Sequence, residues 1–433
     1  MEQKTKFKQT EIGKIPEDWQ VETLKKSTLE IFSGGTPNTM KEEYWNGAIP
    51  WLSSGETSQT FIRNTERKIT KLGVENSSTR LAKRHDVVVA GAGQGHTRGQ
   101  PSFCLIDTYV NQSVVVLRAN KEKLLPLFLF YNLLSRYNEL RQLSDAHSSR
   151  GSLTTKLLAG LPIKLPKIED QKIIEKILSD LDFKIELNQR MNKTIEAIGQ
   201  ALFKRWFVDF EFPDENGKPY KSSGGEMIES ELGMIPKRWK IGKLNDLVDN
   251  IKFPLQAGEE ISKRKYVPID NLPMHQIGLT SYLPYSDAQS SLIGFEKDDI
   301  LIGAMRVYFH RVNLAPFSGV TRATCFVLRP KDKNLLSYSL FLLNQDETIS
   351  FANSHSKGST MPYAVWNESF ENMPVLVPND NILKEFNNQL YPLLCRIRDT
   401  IFESRNLSQI RDSLLPKLMS GEIRVPTEND KLH

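Results

Sequence analysis

Cysteine is scarce in this chain: three residues, Cys104, Cys325 and Cys395, odd in number and far apart. That spacing excludes a disulfide framework and a cysteine-built zinc site, and fits reduced thiols buried as small hydrophobes. Long apolar runs are missing too. No segment approaches the roughly 20 apolar residues a membrane helix needs. The opening, Met1 to Thr10, is polar and lysine-rich without an apolar core, so a cytoplasmic chain with no membrane contact is expected. Seven histidines, among them His85, His96 and His310, show no metal-binding spacing. No Gly-x4-Gly-Lys-Ser/Thr loop is present, which excludes ATP-driven work by this chain. A base-methylating enzyme needs an Asn/Asp-Pro-Pro-aromatic loop; the nearest string, Asn271-Leu-Pro-Met274, lacks the first proline and the ring. Gly91-Ala-Gly93-Gln-Gly95 follows an apolar run, but His96-Thr-Arg-Gly-Gln-Pro101 stands where a cofactor turn would open a helix. No cofactor and no metal are therefore expected on this chain.

What is present is an ordinary globular composition, 39% hydrophobic, 25% charged and 9% aromatic over 433 residues, enough for two or three domains. Net charge is +5 and the pI about 8.8, which permits a polyanionic partner without demanding one. The basic residues cluster from Arg63 to Arg98: Arg63, Arg67, Lys68, Lys71, Arg80, Lys83, Arg84 and Arg98 face only Glu66, Glu75 and Asp86.

The chain is also written twice. Glu11-Ile-Gly-Lys-Ile-Pro-Glu-Asp-Trp19 is answered by Glu231-Leu-Gly-Met-Ile-Pro-Lys-Arg-Trp239, at an offset of 220 (11 to 231). Asp86-Val-Val-Val-Ala-Gly91 matches Asp299-Ile-Leu-Ile-Gly-Ala304, each an acidic turn residue ahead of a buried-strand run. Val116-Leu-Arg118 matches Val327-Leu-Arg329; apolar helical segments, 124–134 and 335–343, then Gly151-Ser152 and Gly358-Ser359, follow in turn. The copies leave through Leu161-Pro-Ile-Lys-Leu-Pro166 and Met373-Pro-Val-Leu-Val-Pro378, now at an offset of 212 (161 to 373). The first copy is thus about eight residues longer, a loop-sized difference.

Each exit opens onto a helical stripe with spacings of three and four: Ile174, Leu178, Leu181, Ile185, Asn188, Asn192, Ile195, Gly199, Leu202, Trp206, and Phe386, Leu390, Leu393, Ile397, Thr400, Ser404, Leu407, Arg411, Leu414. Asn188 coincides with Thr400 and Asn192 with Ser404. Antiparallel packing of the two helices would bring these polar residues together and fix the register; the alternative lays each helix along its own globular domain. Pro392 predicts a kink or an interrupted turn. A second apolar face, Ile173, Ile177, Met191, Ile198, Phe203 and Phe207, suits either burial or docking of a partner.

The expected architecture is α+β, internally duplicated: an N-terminal segment and first recognition domain (1–166), a central spacer helix (167–212), a linker (213–230), a second recognition domain (231–378), and a C-terminal spacer helix and tail (379–433). A helix of about 36 residues spans roughly 54 Å, enough to hold two reading modules one DNA turn or more apart. Because the copies diverge between their anchors, they would read different half-sites.

Thr10-Glu-Ile-Gly-Lys-Ile-Pro-Glu-Asp-Trp19, Gly34-Gly-Thr-Pro37, Tyr44-Trp-Asn-Gly47, Ile49-Pro-Trp-Leu52, Leu165-Pro-Lys-Ile-Glu-Asp-Gln171, Lys184-Ile-Glu-Leu-Asn188 and Ala201-Leu-Phe-Lys-Arg-Trp-Phe-Val-Asp-Phe210 resemble the specificity subunit of type I restriction-modification systems. The resemblance covers nearly the whole chain. Where the family carries Glu-Gln ahead of the spacer helix, this chain has Asp170-Gln171, and its second exit, Asn379-Asp-Asn-Ile382, has neither. The resemblance implies two target recognition domains separated by two long antiparallel helices, bound to double-stranded DNA. It also implies two modification subunits that methylate adenine at N6, and restriction subunits besides. S-adenosylmethionine, ATP and magnesium are then expected on those partners, and this chain is expected to be non-catalytic.

Arginine pairs with guanine, Asn and Gln with adenine, and Lys or Ser with phosphate. In the first copy the candidates are Gln94, His96, Thr97 and Arg98, then Ser148, Ser149 and Arg150. In the second they are Arg306, Tyr308, His310 and Arg311, then Ser356, Lys357 and Ser359. Two readings from other classes stay open at this point: a duplicated non-catalytic scaffold for protein or glycan, and a fused DNA methyltransferase.

Overall fold

The computed structural model describes residues 6–93, 96–147, 151–255, 263–288 and 292–426. It divides into two units, Met1–Phe183 with Leu407–His433, and Lys184–Asn406. Both are α+β, and each combines one globular copy with part of each long helix.

In the first unit the chain opens with a hairpin, Phe7–Thr10 against Gly13–Pro16. The Thr10 hydroxyl closes its turn, donating to the Gly13 carbonyl at 2.6 Å and accepting from the Ile12 amide at 3.4 Å. Gly13 sits at φ +91, a conformation that favours glycine. The second unit repeats the device: Met227–Ser230 pairs with Gly233–Pro236, Ser230 donates to the Gly233 carbonyl at 2.6 Å, and Gly233 has φ +90. Trp19 and Trp239, at the same offset, are both buried.

The strand that follows each hairpin pairs with the strand on which that copy ends: Gln20–Thr23 with Pro162–Leu165, and Lys240–Lys243 with Pro374–Val377. Between them lies the main sheet. Its order in the first copy is Thr28–Ser33, Val114–Ala119, Val87–Ala90, Pro101–Cys104 and Phe61–Ile62. In the second copy the order is Val248–Asn250, Cys325–Pro330, Ile300–Gly303 and Val312–Leu314. The apolar runs form the central strands, buried at every position. A helix follows each sheet, Pro126–Ser135 and Leu336–Leu343; Pro126 occupies a first-turn position, where its missing N–H costs nothing. Each copy also carries a second four-stranded sheet.

The long helices run over Ile168–Phe203 and Asp380–Ser420. In the first unit Ile174 and Leu178 share a core with Leu415 and Leu418, and Asp182 Oδ1 accepts from Arg411 Nη1 at 2.5 Å. In the second unit Phe203 packs on Phe386, ring centroids 6.3 Å apart. Early residues of one helix thus meet late residues of the other, so the pair is antiparallel. The polar positions meet as the stripes require. Asn188 Nδ2 donates to Glu403 Oε2 at 2.8 Å and Ser404 Oγ at 3.2 Å, and Thr400 Oγ1 donates to Asn192 Oδ1 at 2.6 Å. Each helix also packs on both globular copies, its two ends on different cores. Phe203 and Phe207 are buried, Ile173, Ile177 and Met191 pack on the cores, and Ile198 stays 48% exposed.

Two expectations are revised. The second helix is unbroken through Pro392. Pro392 is exposed, as is Asn388, whose carbonyl loses its amide partner, so that carbonyl can be hydrated. The segment expected as a linker holds structure: Asp214 Oδ1 accepts from the Asn216 and Lys218 amides at 2.8 Å, Phe212 stacks on Tyr220, and Met227–Ser230 is a hairpin strand. Before it, the first helix ends in a π-helical turn, Lys204–Val208, that buries Trp206 and Phe207.

Candidate nucleic-acid interface

At the end of strand Val87–Ala90 the chain turns at Gly91 into the segment that leads to strand Pro101–Cys104. Gly91 lets it approach closely: its amide donates to the Ser113 carbonyl at 2.7 Å and its carbonyl accepts from Leu153 at 2.7 Å. A Cβ there would lie 2.7 Å from the Leu153 carbonyl oxygen. Tyr137 at the head of helix Tyr137–His147 donates its hydroxyl to the His96 carbonyl at 2.7 Å. Two segments singled out in the sequence, 91–100 and the one leading from 151, are therefore neighbours. His96 is exposed and Thr97 half-buried. Arg98 is held within the protein. It is 6% exposed, its guanidinium is ion-paired to Asp145, and a Cβ on Gly151 would fall 1.7 Å from its Nη1. In this structure the buried, paired guanidinium braces the loop. Gln94, Ser148, Ser149 and Arg150 lie outside the described residues.

The second copy assembles the same corner. Ala304 donates to the Thr324 carbonyl and accepts from Ala364, both at 2.9 Å, and the Arg306 amide donates to Pro362 at 2.7 Å. The loop 304–311 is so fastened to the hairpin Ser356–Lys357 with Tyr363–Ala364. Arg306 and His310 both have φ +51, flanking the turn Val307–Phe309 on which Tyr308 stands 48% exposed. Lys357 and Ser359 are exposed and Arg306 half-buried. Ser356 donates to the Ala352 carbonyl at 2.9 Å and acts within its own turn. His310 is buried, with Nε2 2.9 Å from Asn344 Oδ1 and Nδ1 3.3 Å from Asp346. Arg311 Nη1 donates to the Ile269 carbonyl at 2.9 Å and lies 3.6 Å from Asp270. His310 and Arg311 therefore hold the loop from beneath through internal partners.

The loop segments themselves carry no acidic residue, and the carboxylates at their edges, Asp145, Asp270 and Asp346, are each paired with a loop cation or histidine. No acidic residue stands between Asp86 and Asp107 or between Asp145 and Glu169, and none between Asp299 and Asp332 or between Glu347 and Glu368. These four acid-free windows are the segments that the fold brings together, two in each copy. The basic run 63–98, in contrast, is largely occupied. Arg80 pairs with Glu30 at 3.3 Å, Lys71 with Glu75 at 3.7 Å, and Arg67 lies 3.7 Å over the Trp45 ring. The sequence did not single out the segments that brace each corner, Asn111-Gln112-Ser113 and Arg322-Ala323-Thr324, whose Ser113 and Thr324 carbonyls accept from Gly91 and Ala304, nor the hairpin residues Met361 and Tyr363. The acid-free windows would have pointed to Arg322, Thr324, Met361 and Tyr363.

Other sequence features have internal roles. Asn271 Nδ2 donates to Ser281 at 2.9 Å. Cys104 and Cys325 are buried; burial pushes the Cys104 thiol far above its ordinary range and that of Cys325 up to about 11. Among the described residues no helix is long and apolar enough to cross a membrane.

A duplicated fold that presents one corresponding loop corner per copy, built on segments without acidic residues of their own, defines a recognition protein with two reading modules. Its sequence matches the model of the type I restriction modification DNA specificity domain over residues 16–197 and again over 236–390, and the chain belongs to that family. It is 28% identical over 97% of both chains to the type I restriction enzyme MjaIX specificity subunit of Methanocaldococcus jannaschii. To the HindI specificity subunit of Haemophilus influenzae it is 24% identical, over 73% of this chain and 82% of that one. In fold it is similar to the crystal structure of the type I restriction-modification S subunit from M. genitalium, with a TM-score of 0.59, 16% identity, and coverage of 92% of this chain and 96% of that one. The chain is thus a DNA-specificity subunit carrying two recognition domains.

Proposed function

We propose that each recognition domain reads one half of an asymmetric bipartite DNA site, and that the helix pair sets the spacing between the halves. The observation that carries this reading is the pair of corresponding loop corners, alike in fold and different in residues: His96 and Thr97 in the first, Arg306, Tyr308, Lys357 and Ser359 in the second. Similar frames with different side chains favour two different half-sites over a palindrome.

The chemistry is assigned to partners. Two modification subunits would methylate adenine with S-adenosylmethionine, and restriction subunits would bring ATP and magnesium. A cleft that occurs once per unit supports docking of two copies of one partner. In the second unit it measures ≈ 1070 Å³ and is lined by Ala201 and Val208 of the first helix end and by Leu232 at the hairpin tip. In the first unit the corresponding cleft, ≈ 410 Å³, is lined by Ile12 of the hairpin and by Pro416 and Ser420 of the second helix.

The test is methylation sequencing of a host carrying the cognate modification subunit, with and without this chain. N6-methyladenine at a split motif only when the chain is present is the expected result. An unchanged methylome, together with DNA binding that does not weaken steeply with salt, would overturn the reading.

A further inference from the structure

On the reading that the second domain binds DNA, we infer that Met361 is a specificity residue that recognises the 5-methyl group of a thymine in the major groove of its half-site. Met361 is 53% exposed at the tip of the hairpin Ser356–Lys357 with Tyr363–Ala364. The tip is positioned on both sides. Pro362 accepts from Arg306 at 2.7 Å, Met305 bridges Tyr363, and the Tyr363 hydroxyl donates to the Ala323 carbonyl at 2.9 Å. It is therefore a braced projection.

Its surroundings select the ligand. Lys357, Ser359 and Thr360 are exposed beside Met361, and no carboxylate occurs from Thr348 to Asn367. Lysine and hydroxyl groups around an apolar tip match a phosphate-lined groove with something apolar at its floor. In the major groove the apolar feature of a base pair is the thymine methyl, the one edge group that hydrogen bonding cannot read. An unbranched thioether with three rotatable bonds can lie flat on such a methyl. Met361 belongs to none of the hydrophobic cores of the second copy, so its substitution leaves the fold intact.

The experiment measures binding of the full chain, assembled with its modification subunits, to duplexes carrying its methylated motif, with each thymine of the second half-site replaced in turn by deoxyuridine. One replacement should weaken binding by about fourfold, the effect of losing one buried methyl. Met361→Ala should weaken binding of the unmodified duplex by a similar factor and bind the uracil duplex no worse. A half-site without thymine, or equal uracil penalties in wild type and Met361→Ala, would overturn the assignment. Loss of all salt-dependent DNA binding by the wild type would instead overturn the domain reading on which it rests.

Discussion

Asp86 and Arg118 form a closed pair: the guanidinium Nη2 and Nε donate to the carboxylate at 2.8 and 3.1 Å, across neighbouring strands of the first copy's main sheet. Asp299 and Arg329 repeat it in the second copy at 2.8 and 2.7 Å. Burial of Asp86 and Asp299 makes each arginine the counter-charge for a carboxylate that water does not reach. Arg118→Met should therefore destabilise the first copy by about 3 kcal/mol. Arg329→Met should cost less, because that arginine is 43% exposed. Urea unfolding followed by domain-specific fluorescence measures both, and a change under 1 kcal/mol in Arg118→Met would show that the pair is incidental.

Asn188 specifies alignment at the expense of strength. It is buried between Thr400, Glu403 and Ser404, with its own Oδ1 unpartnered among the described residues. Asn188→Leu should raise stability by about 1 kcal/mol while loosening helix register. The expected signature is a higher Tm together with methylation at sites of more than one spacer length. A lower Tm would mean that the amide is a net stabiliser.

Arg98 and Asp145 can be told apart from a reading pair. As a brace, Arg98→Ala and Asp145→Ala should each weaken binding to the first half-site about equally and leave the second unchanged. Direct base contact by Arg98 would leave Asp145→Ala neutral or tighter, since it removes a negative charge near DNA. Competition between half-site variants measures the difference.

The C-terminal tail brings a pH term. Arg424 donates to Asp18 at 2.6 Å and holds its carboxyl below the ordinary range, chiefly through that hydrogen bond. The pair's contribution is complete above the ordinary carboxylate value and is lost as pH falls through the lowered one. Asp170, beside the same guanidinium at 3.7 Å, is instead raised by burial, so its protonation opposes the loss. Wild type should lose stability relative to Asp18→Asn below about pH 4, and the two acid unfolding curves should converge there. Parallel curves would remove Asp18 from the account.

The duplication was legible because turns, buried strands and helical stripes are local or periodic. Trp19 and Trp239, Val87–Ala90 and Ile300–Gly303, and the meeting of Asn188 with Ser404 all follow from spacing. The internal partners of Arg98, His310 and Arg311, namely Asp145, Asn344 and Ile269, were not legible because they are distant in sequence or lie on other elements. A loop arginine looks the same in sequence whether it faces solvent or a carboxylate. Pro392 misled in the opposite direction: its cost depends on whether the freed carbonyl meets water, which only the packed helix decides.

The neck of each recognition domain has a consequence for inheritance. Because Gln20–Thr23 lies beside Pro162–Leu165, and Lys240–Lys243 beside Pro374–Val377, the polypeptide enters and leaves each domain at adjacent points. Everything between can be exchanged as a cassette through two short, paired segments, without altering the length or alignment of the helices. New targets can then arise by recombination at the neck, a far shorter path than rebuilding a reading surface one substitution at a time.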